Sequence, residues 1–136
     1  MDLESSIGVS ASGLRAQSLR MRVIAENLAN SDSVSTEAGG DPYRRRVATF
    51  KTELDRATGA THVTVKSIEG DTRSQFKRVY EPGSPAANAA GYVLRPNVSS
   101  LIEGADMKAA QRSYEANLNA IESARSMTMR TIDLLK

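Results

Sequence analysis

The sequence predicts a mainly α protein: long N- and C-terminal helices paired as a coiled-coil-like hairpin, with a small irregular β insert between them. Three observations carry that expectation. Residues 5–29 place apolar or small side chains at alternating steps of 4 and 3, the spacing of one helix face. Residues 101–135 repeat the pattern over a longer run without proline. All four prolines and six of the nine glycines fall between these two segments, where they break regular structure. The expected organisation is 1–33, an N-terminal helix and its stop; 34–97, a β-rich insert with loops; and 98–136, a C-terminal helix, all forming one structural unit.

The first helix carries Ile7, Ala11, Leu14, Ser18, Met21, Ala25 and Leu28 on a heptad seam that Ile24 widens. Arg15, Arg20, Arg22 and Glu26 lie off it. Ser5 or Ser6 is the candidate cap. Gly8 and Gly13 each cost about 1 kcal/mol relative to alanine, so the first turns are expected to be labile until a partner is present. Asn30 is placed to end the helix in the left-handed conformation. Ser31, Asp32 and Ser33 then favour turns, and a loop runs through Gly39 and Gly40 to Pro42.

In the insert, residues 43–54 alternate weakly, as a strand or an extended arm. Residues 61–69 form the best strand pattern, with Val63, Val65 and Ile68 on or near one face. Residues 76–82 form a short strand ending at Pro82, and 92–97 are extended because Pro96 disfavours helix before it. Ser100 and Glu103 then have capping-box spacing. The last helix sets Met107, Ala110, Tyr114, Leu118, Ile121, Ala124, Thr128, Ile132 and Leu135 at steps of 3 or 4. At roughly 35 residues it would span about 50 Å.

Composition restricts function. Aromatics are 4%, there is no tryptophan, and the seams are rich in Ala, Ser and Thr, so burial within one chain yields little energy. Such helices need neighbours. The candidate assembly residues are therefore Ile7, Leu14, Met21, Ile24, Leu28 and Asn30 on the first helix, and Tyr114, Asn117, Leu118, Ile121 and Leu135 on the last. Asn117 reads equally as a register-fixing interface residue or as a polar neighbour of a core Tyr114. The absence of cysteine excludes disulfides and thiol chemistry. His62 is the sole histidine; a partly exposed strand residue is the expected role. No enzyme, cofactor, metal site or small-molecule substrate is expected. No run approaches a membrane span, and "MDLESSIGVS" lacks the basic start and apolar core of a cleaved signal peptide.

The net charge is only +2, which gives little long-range field. "YRRR", residues 43–46, is the densest basic run. A nucleic-acid contact through Arg44, Arg45 and Arg46 is the alternative reading; a solvated arm paired with acidic residues on a neighbouring subunit is the favoured one.

"ASGLRAQSLRMRVIAENLANSDS", residues 11–33, and "RSYEANLNAIESARSMTMRTIDLL", residues 112–135, closely resemble the terminal signatures of bacterial flagellar rod and hook proteins. "DPYRRRVATF" and "VYEPGSPAANAAGYVLRPNV" are most similar to the proximal-rod members of the basal-body rod family. The discriminating positions are Pro42, Tyr43, Arg44, Arg45, Pro82, Pro85, Gly91, Tyr92, Pro96 and Asn97. The resemblance implies a structural subunit, exported unfolded by the flagellar type III apparatus without a cleaved signal. It implies helical polymerisation in the periplasmic space with itself and with other proximal and distal rod proteins. It also implies contact with the rod-base adaptor and membrane ring, and a drive shaft that passes torque to the hook.

The two readings separate in a salt titration of duplex DNA binding. A rod subunit is expected to bind weakly and without sequence preference. Tight binding at moderate salt that is lost when Arg44, Arg45 and Arg46 are all changed to alanine would favour the nucleic-acid alternative.

Overall fold

The computed structural model describes residues 2–136. Its elements are α1 (Leu3–Ala29), β1 (Arg46–Leu54), β2 (Thr61–Gly70), β3 (Lys77–Tyr80), β4 (Tyr92–Arg95) and α2 (Ser100–Leu134). Two helices flanking a small two-sheet insert match the expected class. The strands form two separate pairs, β1 with β2 and β3 with β4. Among the described residues no helix is long and apolar enough to cross a membrane. The chain divides into two compact units. The first comprises Met1–Met21, Ala48–Ser67 and Met107–Lys136; the second comprises Arg22–Val47 and Ile68–Asp106.

In the first unit, α1 starts earlier than expected. The Ser5 amide donates to Asp2 Oδ1 at 2.7 Å, so Asp2, not Ser5 or Ser6, supplies the cap. An aspartate there also meets the positive end of the helix dipole. Gly8 and Gly13 lie within regular helix. A Cβ on Gly13 would come within 2.8 Å of the Asn117 amide, so the missing side chain is what lets α1 approach α2 here. Ser12 Oγ donates to Val9 O at 2.7 Å and accepts from the Val63 amide at 3.0 Å, tying α1 to β2. Residues 55–60 join β1 and β2, far too short for the crossover that parallel strands need. Asp55 organises that turn by accepting from the Ala57 amide and the Thr58 hydroxyl, each at 2.9 Å.

In the second unit, β3 and β4 are antiparallel, pairing Lys77 with Arg95 and Tyr80 with Tyr92. The Tyr80 and Tyr92 rings meet edge to face, 5.3 Å between centroids. Gly91 has a φ of 85°, and a Cβ there would stand 2.8 Å from the Tyr80 ring; only glycine fits without movement. At the end of α1 the expected left-handed Asn30 does not occur, since no non-glycine residue described has positive φ. Asn30 Nδ2 instead donates to Glu26 O at 2.9 Å, and the Ser33 amide donates to Asn30 O at 3.1 Å. The Glu26 carbonyl thus accepts from both the Asn30 amide, at 3.1 Å, and its side chain. The capping box expected at Ser100 is likewise replaced: the Glu103 carboxylate turns inward to Asn27 and Arg45.

The buried apolar residues are Ala16, Val23, Ile24, Ala60, Ala86, Val93, Val98, Ala110 and Ala124. Five of these are alanine and none is aromatic, so hydrophobic burial per residue is small. On α1 the most buried stripe is Ser12, Ala16, Val23 and Asn27, with Ile24 at its edge. The apolar positions Ile7, Leu14, Met21 and Leu28 fall on the other side of the helix and are only half-buried, while Ser18 and Ala25 are exposed. On α2, residues 110, 114, 117, 121, 124 and 128 face inward.

Two glycine replacements test the account of close approach. Gly104 faces open space inside α2, so Gly104→Ala is expected to stabilise by about 1 kcal/mol. Gly13→Ala gains the same propensity but displaces Asn117, whose amide donates to Ser113 O at 2.9 Å. It should fall short of Gly104→Ala by about 1 kcal/mol, the worth of that bond. Urea unfolding midpoints of the two variants provide the comparison.

Candidate assembly site

The densest chemistry in the molecule is a knot of polar side chains in the second unit, and its centre is Asn27. At 1% exposure this amide must find every partner inside the protein. Its Nδ2 donates to Arg46 O at 2.8 Å and to Glu103 Oε2 at 3.3 Å. Its Oδ1 accepts from the Tyr43 hydroxyl at 2.8 Å and from the Arg46 amide at 2.9 Å. All four valences of the group are used. Burial pushes the Tyr43 phenol up from its ordinary value, keeping it a donor.

Glu103 is fully buried. Its carboxylate meets the Arg45 Nε, and the same guanidinium reaches Asp106 at 3.4 Å and Asp71 at 3.6 Å. Burial pulls the Arg45 pKa down, but the bond to Glu103 and the surrounding carboxylates outweigh it and raise the pKa above the usual value. Asp71 is held below the usual carboxylate range, chiefly by the Ser74 hydroxyl and then by nearby amides and Arg45. Arg44 Nη1 donates to Asp71 O at 3.0 Å, and its guanidinium lies 4.3 Å from the centre of the Phe76 ring. Asn97, also buried, accepts from the Arg45 amide at 2.7 Å and donates to Asp71 O and Ser74 O at 3.1 and 3.0 Å.

The discriminating middle positions thus divide. Tyr43, Arg44, Arg45 and Asn97 form the knot, and Pro42 and Pro96 are buried. Gly91 and Tyr92 shape the β3–β4 connection, while Pro82 and Pro85 are exposed. The knot has no catalytic geometry: its acids are spent on Arg45. Nor is it a nucleic-acid surface, because two of the three arginines are committed to internal partners. The sequence reading missed Asn27 and Glu103 as its anchors. The signal for them was a polar residue at an inward helix position, which only the opposing helix and strand explain.

The expected assembly residues fall elsewhere. Ile24 is buried; Ile7, Leu14, Met21, Leu28, Asn30, Tyr114, Asn117 and Ile121 are half-buried. Leu118 is 39% and Leu135 83% exposed. Leu118 yields its inward place to Asn117, one residue earlier on α2.

Arg45 and Arg46 should respond unequally to truncation. Arg45→Met leaves the buried Glu103 charge without its cation and is expected to cost about 3–5 kcal/mol. Arg46 pairs with Glu26 at 3.6 Å between side chains that are both largely solvated, so Arg46→Ala should change stability by no more than about 0.5 kcal/mol. Equal losses in denaturant unfolding would contradict the knot.

Comparison with known proteins agrees with this architecture. The family described as "Flagella basal body rod protein" matches residues 7–35, and "Flagellar basal body rod FlgEFG protein C-terminal" matches residues 89–134. The flagellar basal-body rod protein FlgC of Agrobacterium fabrum is 47% identical over 98% of this chain and 96% of its own length. FlgC of Salmonella typhimurium is 39% identical over 98% of both chains, and FlgC of Bacillus subtilis 36% identical over 96% and 97%. These matches do not support the nucleic-acid alternative. At such identity over nearly the whole length, the chain belongs to the FlgC family of flagellar basal-body rod proteins and is a structural subunit of the rod, not an enzyme.

Proposed function

We propose that this subunit polymerises helically in the proximal rod, with α1 and α2 paired as an antiparallel coiled-coil-like hairpin and its remaining apolar surface covered by neighbouring subunits. The observation that carries the proposal is the apolar surface left open on a chain with an alanine-rich core. Ile7, Leu14, Met21 and Leu28 are half-covered on α1. Leu118, Met127, Met129, Ile132 and Leu134 on α2, and Leu135 just after it, are exposed at 39–87%. A helix loses little by such exposure only if another chain buries it in the working assembly. Gly13 against Asn117 in the first unit and Asn27 against Glu103 in the second are the two close α1–α2 approaches that support the hairpin.

The segments 1–33, 34–97 and 98–136 act in this reading as one structural unit, its terminal helices in the shaft and its insert between them. Its partners are further copies of itself, the other proximal and distal rod proteins, the rod-base adaptor with the membrane ring, and the type III export apparatus. The subunit is made in the cytoplasm, exported without a cleaved signal, and placed in the periplasmic part of the basal body, where the rod passes torque to the hook. Deletion of the chain should abolish rod completion and swimming; a motile deletion strain with normal basal bodies would refute the reading.

Charge insertion tests the stripe itself. Met21→Asp and Ile121→Asp place a carboxylate in a seam with little spare stability, where an unpaired buried charge is costly. Both variants should be secreted but fail to complete rods, whereas Arg15→Ala, exposed and off the stripe, should assemble. Secretion assays and electron microscopy of isolated basal bodies read the two steps separately. Normal rods from both variants would assign assembly to another face; loss of secretion would place these residues in the export signal.

A further inference from the structure

We propose that the basic, aromatic face of the β3–β4 hairpin is a docking surface for the acidic loop after α1 of a second copy of this chain. The proposal rests on the reading of the chain as a subunit that polymerises with itself, and it names the faces that meet.

Residues 72–80 hold three cations, Arg73, Lys77 and Arg78, and no acid. All three are exposed, and among the described residues none has a carboxylate partner. The two-residue alternation of a strand puts Arg78 and Tyr80 on one face of β3, and the register sets Tyr92 opposite Tyr80. Val79 and the buried Val93 take the other face. The Arg78 guanidinium lies 4.5 Å from the centre of the Tyr92 ring, and Tyr80 meets that ring edge to face. Tyr80 is held against the bare backbone of Gly91, yet it is 63% exposed. A tyrosine already fixed in place loses little freedom on binding, and tyrosine and arginine are the side chains that anchor interfaces.

The complementary surface is in the same unit. Residues 30–43 hold three acids, Asp32, Glu37 and Asp41, and no base. All three are exposed, as is Val34. Asp32 has Arg95 at 3.7 Å; among the described residues the Glu37 and Asp41 carboxylates have no cation. The loop is held in shape. The Tyr43 amide donates to Ser33 O at 3.0 Å and the Gly39 amide to Ala86 O at 3.1 Å, and Gly39 takes a φ of 71°. One chain thus displays a fixed acidic loop and a fixed basic face without pairing their charges. Because the two faces differ, joining loop to hairpin leaves one of each open for the next copy. Such a head-to-tail contact propagates as a helix where a self-matching face would close on a pair. Exposed ion pairs are individually weak, so this contact selects which faces meet.

Photo-cross-linking in assembled rods tests the contact. Benzoylphenylalanine is placed at Tyr80 of the full-length chain in the deletion strain, and isolated basal bodies are irradiated. The expected product is a dimer of this chain linked to residues 32–41 of the second copy. Charge reversal is the second arm: Lys77→Glu with Arg78→Glu should lower the number of completed rods about tenfold, and adding Glu37→Lys with Asp41→Lys should restore it to within about twofold of wild type. An adduct with another rod protein, an adduct elsewhere on the second copy, or no adduct would overturn the proposal. So would normal rods from the reversed hairpin, or no recovery in the fourfold variant. The cross-link leaves these charges in place, so it decides even where reversal harms folding. Each of these failures would remove this interface alone; the rod reading itself is tested by the deletion strain.

Discussion

A carboxylate with no access to water has to be answered by a cation and by donors, and in this protein that demand falls on Glu103. The answer recruits three stretches far apart in the chain. Arg45 comes from the loop before β1, Asn27 from the last turn of α1, and Asp71 and Asp106 share the guanidinium. Once Arg45 is held, its amide and the Arg46 amide are fixed by Asn97 and Asn27, and the chain leaves the loop already aligned as β1. A buried ion pair of this kind is costly to desolvate and is strongly destabilising to break.

These partners matter because the apolar core is thin. Alanines and valines dominate it, and small side chains let helices approach closely while contributing little transfer energy. Gly13 carries the logic furthest, giving up a side chain entirely where α1 meets Asn117. Polar groups then do much of the specifying: Ser12 to β2, Asn27 to β1, Asn97 to the loop after β2. Several larger aliphatic side chains are left half-buried on α1 and exposed along α2. For a subunit of the flagellar rod this division is coherent, since hydrophobic surface withheld from the fold is available for assembly with other rod components.

Periodicity, prolines and glycines are local properties of a chain, and they were enough to locate both helices and the strands at β2 and β3; they left β1 open between strand and extended arm and β4 as extended chain, and the family resemblance rested on the terminal and middle motifs. The strand at residues 61–70 and the helix at residues 100–134 are legible because a repeating face and its breakers are written in consecutive residues. Where the helices stop was less legible. Asp2 displaced the expected serine caps, and Asn30 closed α1 with a side-chain bond in place of a left-handed turn, because several residues in each stretch are chemically able to cap and the choice depends on what packs nearby.

The sequence by itself determined that two amphipathic helices would bracket a small β insert and that the chain would need partners, since these follow from spacing and from a shortage of large apolar residues. Only the tertiary structure decided which face of α1 turns inward. A heptad count points to Ile7, Leu14, Met21 and Leu28, but the chain buries Ser12, Ala16, Val23 and Asn27 more deeply. Asn27 and Ser12 hold hydrogen bonds to β1 and β2; a buried polar group needs such partners, so their face turns inward and the larger apolar stripe is left half-buried.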